Sequence, residues 1–125
     1  MPSSQPGPQG KLIMDITEHQ LGTGVVLEPQ GRIDSSTSKS FEERLMQALD
    51  RGPTAVIVDL SNVEYVSSAG LRVLLVAAKK IKSAGNQLIL CGLSSHIREV
   101  FDISGFSAIF VIVGGLDDAK QKAGL

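Results

Sequence analysis

The amino-acid sequence predicts a single α/β domain, and three observations carry that expectation. The chain has 125 residues, enough for one hydrophobic core and short for two ordinary domains. Segments with apolar residues at helical spacing alternate with short apolar runs bounded by Gly, Pro and Ser. One of those runs, Ala55-Val56-Ile57-Val58, is unbroken and mostly β-branched, the composition of a strand covered on both faces by helices.

Taken in order, Met1 to Gly10 is rich in Pro, Ser, Gln and Gly and has no apolar face to offset the entropy of ordering. It is expected to form a flexible tail, residues 1–12, ahead of one domain over 13–125. Ile13 to His19 and Val25 to Glu28 are expected to be strands around a Gly22-Thr23-Gly24 hairpin turn. After Gly31-Arg32-Ile33-Asp34, the capping residues Ser35, Ser36, Thr37 and Ser38 precede Phe41, Leu45, Ala48 and Leu49 at helical spacing. Gly52-Pro53 ends that helix, because Gly accepts the left-handed cap and Pro cannot continue the turn.

Following the buried strand, a second helix is expected from about Ser68 to Ala84, with Leu71, Leu74, Leu75 and Ala78 on one stripe. Lys79, Lys80 and Lys82 fall near its C-terminus, where cations oppose the helix dipole favourably. Gly85 ends it, and Gln87 to Cys91 is the next strand. Ser94 or Ser95 caps a third helix bearing Ile97, Val100 and Phe101, which Gly105 ends. Ala108 to Val113 is a last strand and Asp117 to Lys122 a short closing helix. The resulting order is ββαβαβαβα, with parallel pairing across the helical crossovers.

Composition excludes several functions. Twelve Lys and Arg stand against thirteen Asp and Glu, a net charge of -1 with the signs interspersed, so no basic stripe tracks a nucleic-acid backbone. No apolar run approaches the roughly 20 residues that cross a bilayer, and no apolar stretch follows a basic start. A cytoplasmic protein without membrane insertion is expected. Cys91, the one cysteine, rules out an internal disulfide and is expected to be buried as a small hydrophobe. His19 and His96 have no metal-ligand spacing, and no phosphate-cradling glycine motif is present. No cofactor, metal or catalytic residue is expected.

The informative stretch is Asp59-Leu60-Ser61-Asn62-Val63-Glu64-Tyr65-Val66-Ser67-Ser68-Ala69-Gly70-Leu71, between the buried strand and the second helix. Such strand-to-helix connections are where α/β folds place their sites. This one delivers two hydroxyls to a helix N-terminus, where unpaired N–H groups and the dipole favour added negative charge. Taken alone, Ser67 or Ser68 is as well explained as a helix cap. Gly70 costs about 1 kcal/mol against Ala in a helix, so a strand or a partner must approach closely there.

With those residues in view, the sequence resembles STAS domains, most closely the bacterial anti-sigma factor antagonists. Asp59-Leu60-Ser61, Val63, Tyr65-Val66 and Ser68-Ala69-Gly70-Leu71 are similar to the family signature, as are Gly31-Arg32-Ile33-Asp34, Cys91-Gly92-Leu93, Val100-Phe101 and Ser104-Gly105-Phe106. The resemblance covers about residues 13 to 122. It implies a mixed central sheet of about four to five strands with three to four helices.

The resemblance also implies a function: binding an anti-sigma factor serine kinase when unphosphorylated, which releases a sigma factor, with a serine phosphatase reversing the modification. Family members commonly carry Asp-Ser-Ser-Gly or Asp-Ser-Thr-Gly, with phosphate on the serine after Asp. Here those positions are Ser67-Ser68-Ala69-Gly70, so Ser68 inherits the phosphoacceptor role, with Ser67 as the alternative. Partner contacts are expected from Asp34, Ser36, Thr37, Ser61, Ser67, Ser68, Ala69, Gly70 and Arg72. The alternative function is a STAS subunit of a lipid-transport or membrane-transporter assembly, binding without phosphorylation. A hydrolase using Ser68 with His19 or His96 is disfavoured, because Val66 occupies the place where a nucleophile elbow needs Gly.

Overall fold

The computed structural model describes residues 14–125; the expected tail and Ile13 lie outside the described residues. The chain opens with a hairpin of β1 (Ile16–Leu21) and β2 (Gly24–Pro29), antiparallel, with Leu21 opposite Gly24. The turn is therefore the two residues Gly22-Thr23, with Gly22 at φ +57°, and Gly24 already belongs to the strand. Such tight turns match the right-handed twist of the strands they join.

Beyond the hairpin come β3 (Gly31–Ile33), α1 (Ser38–Asp50), β4 (Ala55–Asp59), β5 (Val63–Val66), α2 (Ser68–Ser83) and β6 (Gln87–Cys91). The chain closes with α3 (Ser95–Ile103), a 3-10 turn (Phe106–Ala108), β7 (Val111–Val113) and α4 (Leu116–Ala123). The main sheet has five strands in the order β1-β2-β4-β6-β7. Its β1–β2 pair is antiparallel and the other pairs are parallel, so the sheet is mixed, as the resemblance implied.

Strand β4 lies at the sheet centre and is buried at every position. Alternate residues explain why. Val25, Leu27, Val56, Val58, Leu88 and Leu90 meet Phe41 and Leu45 of α1, Leu74 of α2 and Phe101 of α3 in one cluster. Val26, Ile57, Ile89 and Cys91 form a second cluster with Ala119 of α4. Both faces are thus covered, three helices on one and one on the other, and each fully buried large apolar side chain contributes roughly 1.5–3 kcal/mol.

Two expectations are corrected. Gly31–Ile33 and Val63–Val66 are strands, β3 and β5, paired parallel in a separate two-stranded sheet. At three and four residues they are too short to show an alternating pattern, and only their pairing defines them. The strand expected over 108–113 is confined to β7, because Phe106 and Phe110 turn inward onto Phe101, with ring centroids 6.4 and 5.7 Å away. No described helix is long and apolar enough to cross a membrane.

Candidate functional site

The short β3–β5 sheet delivers two chain segments side by side. Strand β3 runs into the loop Asp34–Thr37, and β5 runs into α2. They are joined where they leave the sheet: Ser67 N–H donates to the Ile33 carbonyl at 2.8 Å.

Ser67 is the N-cap of α2, in extended conformation (φ -84°, ψ 173°). Its Oγ accepts the Gly70 N–H at 3.3 Å, and its carbonyl accepts the Leu71 N–H at 2.9 Å. The cap role open to either serine thus falls to Ser67, which is half-buried. Ser68, the first helical residue, is exposed, and its hydroxyl has no hydrogen-bond partner among the described residues. The first turn of α2 contains no acidic residue, so nothing there neutralises the positive end of the helix.

Ala69 is half-buried, and Gly70 is buried against β3. A Cβ on Gly70 would lie 2.7 Å from Ile33 Cγ2, 3.0 Å from Val66 Cγ1 and 3.2 Å from the Ile33 carbonyl oxygen. The close approach that this glycine permits is therefore by a neighbouring strand of the same chain. Arg72 is exposed one turn further along α2.

Asp34 organises the adjacent loop. Its Oδ1 accepts from the Ser36 N–H at 3.0 Å, the Ser36 hydroxyl at 2.7 Å and the Thr37 N–H at 3.3 Å. The Ser36 hydroxyl is the main reason its carboxyl titrates below the ordinary range; the two backbone donors and Thr37 add to this, and partial burial opposes it. Thr37 is the N-cap residue of α1 by position, yet its side chain does not bond the helix. It donates instead to the Arg32 carbonyl at 2.6 Å and accepts the Asp34 N–H at 2.9 Å. The cluster expected to cap the helix thus builds a loop pinned by Asp34.

Sequence reasoning passed over two residues here. Arg32 and Tyr65 are register partners across the small sheet, and the guanidinium sits 4.3 Å from the Tyr65 ring centroid. Arg32 Nε also lies 3.6 Å from Asp34 Oδ2. The signal lay in Gly31-Arg32-Ile33-Asp34, but a three-residue strand does not reveal which side chain crosses to its neighbour.

Asp34, Ser36, Thr37, Ser67, Ser68, Ala69 and Gly70 are therefore brought to one end of the small sheet, with Arg72 following on α2. Ser61 is not: it precedes β5, whose four residues span roughly 13 Å. Its backbone N–H is held by the buried Asp59 at 3.0 Å, beside Gly92. Gly92 has φ +71°, and a Cβ there would meet Asp59 Oδ1 at 2.6 Å, which ties the Asp59-Leu60-Ser61 and Cys91-Gly92 segments into one packed turn.

The remaining reactive side chains lie outside this cluster. Cys91 is fully buried, and burial first, then the nearby carboxylates of Asp59, Glu28 and Asp118, push its thiol up to about 12. His19 Nε2 lies 3.2 Å from Glu28 Oε1 on the hairpin, His96 lies in the first turn of α3, and neither hydrogen-bonds Ser68. Among the described residues no His, Cys, Asp and Glu side chains form a metal-sized cluster.

Comparison with known proteins agrees with this architecture. The family model described as the STAS domain matches residues 15–119. BtrV of Bordetella bronchiseptica, assigned as an anti-sigma factor antagonist, is 37% identical over 106 residues, which cover 85% of this chain and 91% of BtrV. In structure, an anti-sigma factor antagonist from Mycobacterium paratuberculosis matches with a TM-score of 0.82 at 22% identity, over 90% of this chain and 95% of its own. The antagonist SpoIIAA matches in its unphosphorylated form (TM-score 0.68, 16% identity, 86% of this chain and 96% of its own). Its phosphorylated form matches alike (TM-score 0.68, 17% identity, 86% and 97%).

Proposed function

The chain belongs to the STAS domain family, among the anti-sigma factor antagonists, and from that premise we propose that Ser68 is the residue through which its partner binding is switched. With a free hydroxyl at Ser68 the protein binds an anti-sigma factor that is also a serine kinase, and the sigma factor held by that kinase is released. Phosphorylation at Ser68 ends the binding.

The observation that carries this reading is the contrast between two adjacent hydroxyls. Ser67 is spent on the helix cap, whereas Ser68 is exposed, unbonded and beside the Asp34 loop. In the modification, Ser68 Oγ attacks the γ-phosphorus of ATP, the bond from that phosphorus to the β–γ bridging oxygen breaks, and ADP leaves. The hydroxyl proton passes to base or solvent. A phosphatase restores the serine by transferring the phosphoryl group to water.

The modification adds about -1.5 to -2 charge. In the free protein the positive end of α2 accommodates that charge, so the fold has no reason to melt. In a complex the phosphate is pressed against a partner surface and loses its water, a large cost where the partner presents no cation to it. That SpoIIAA was solved with and without its phosphate, in forms equally similar to this chain, supports a switch that acts without unfolding.

The test is to incubate the protein with its cognate kinase and ATP and map the phosphate by mass spectrometry. Phosphate on Ser68, absent in Ser68→Ala, is the expected result. Phosphate on Ser67, or efficient labelling of Ser68→Ala, overturns the assignment.

A further inference from the structure

Ser68 and Arg72 are four residues apart in α2, and both are exposed. At that spacing two residues share one helix face, with Cβ atoms roughly 5–6 Å apart. Helical side chains also lean toward the N-terminus, so a long side chain at position 72 reaches back over position 68 and not away from it. Arg72 has no ion-pair partner among the described residues. The cation on the neighbouring strand is committed elsewhere: Arg32 is stacked on Tyr65 and lies beside Asp34.

We infer that Arg72 is the intramolecular counter-ion of phosphorylated Ser68, a role that rests on the phosphoacceptor reading above. Arg is suited to it because its planar fork of N–H donors matches phosphate oxygens in pairs. No carboxylate in the first turn of α2 competes for it. The consequence is a double action. Modification places a negative charge on the docking face and at the same time withdraws a free guanidinium from it, so a partner that meets Arg72 with an acid loses that contact too.

The experiment installs phosphoserine at position 68 during translation, which removes dependence on any kinase, and follows the phosphate by phosphorus NMR against pH. A nearby cation favours the dianion, so the second phosphate pKa in the otherwise wild-type protein is expected to lie about 0.3 pH units or more below that in Arg72→Gln. Arg72→Lys should retain part of the shift. Lys79→Gln likewise removes one positive charge, but roughly 16 Å along the helix from Ser68, and should leave the titration as in wild type. Coincident titration curves for wild type and Arg72→Gln would overturn the inference.

A binding arm tests the second half. Arg72→Gln should weaken binding of the unphosphorylated protein to the kinase severalfold and change the residual binding of the phosphoserine form little. Equal loss in both forms would show that the guanidinium is not withdrawn. Kinase labelling mapped to another residue would end the phosphoacceptor reading alone, since the titration judges the Arg72 contact on installed phosphoserine.

Discussion

The Ser67 N–H donates to the Ile33 carbonyl at 2.8 Å, and this bond joins the start of α2 to the end of β3. It places the exposed hydroxyl of Ser68 next to a loop whose shape is set by Asp34, although the two segments are far apart in sequence. Two residues beyond Ser68, Gly70 is buried against Ile33 itself, so backbone pairing and side-chain packing act at the same junction. The proposed docking surface, made of a loop and a helix start, needs such a junction to hold one geometry.

Replacing Ser68 by Glu should leave the far-ultraviolet circular dichroism and the melting temperature close to wild type, because the residue is exposed at a helix start where a carboxylate is favourable. Kinase binding should weaken at least tenfold, about 1.4 kcal/mol by titration calorimetry. Ser68→Ala should bind as wild type does. Equal affinity of the Glu and Ala variants would remove the charge-based switch.

Ser67→Ala deletes the oxygen that accepts the Gly70 N–H and should cost about 1 kcal/mol in urea unfolding. Ser67→Asp keeps a cap oxygen and restores the acid that the family commonly carries, so it should be at least as stable as wild type. If Ser67→Ala unfolds at the wild-type urea midpoint, the cap contributes nothing and Ser67 is no better committed than Ser68.

Gly70→Ala sets two effects against each other. Helix propensity favours Ala by about 1 kcal/mol, while a methyl group 2.7 Å from Ile33 Cγ2 and 3.2 Å from the Ile33 carbonyl overpacks the junction by about 1–3 kcal/mol. The net expectation is a loss of about 1 kcal/mol, accompanied by faster exchange of the Ser67 amide as α2 is pushed off β3. A variant more stable than wild type would mean that the contact yields freely.

The Asp34 carboxyl titrates below its ordinary value of 3.8 because the folded loop donates hydrogen bonds to its charged form. A group depressed in this way stabilises the fold above its unfolded pKa, and the contribution disappears as pH falls through the folded pKa. Asp34→Asn should therefore be less stable than wild type at pH 7, by about 1 kcal/mol at this partly solvated site. The gap should begin to narrow as pH falls below about 4 and vanish once pH passes below the folded pKa. Urea midpoints of both proteins across that range decide it: a gap that persists unchanged in acid would assign the difference to something other than charge.

How much of this was legible in the sequence follows from the range of each signal. The four helices and the five strands of the main sheet showed themselves because each carries its own pattern: Phe41, Leu45 and Ala48 at helical spacing, Ala55 to Val58 as an unbroken β-branched run, Gly52-Pro53 as a stop. The motif around Ser68, with the segments flanking it, was specific enough to indicate the family. Those features are local, written within a few consecutive residues, and need no fold to be recognised.

The tertiary structure decided the matters that depend on distant residues meeting. It made strands of Gly31–Ile33 and Val63–Val66, which have no pattern of their own and exist as strands because each supplies the other's hydrogen bonds. Through that pairing it set Asp34 beside Ser67, stacked Arg32 on Tyr65, left Ser61 apart, and turned the capping cluster of α1 into the Asp34 loop. It also separated two serines that composition and spacing leave equivalent, since which hydroxyl closes a helix end and which faces water is settled by the angle at which the chain enters the helix.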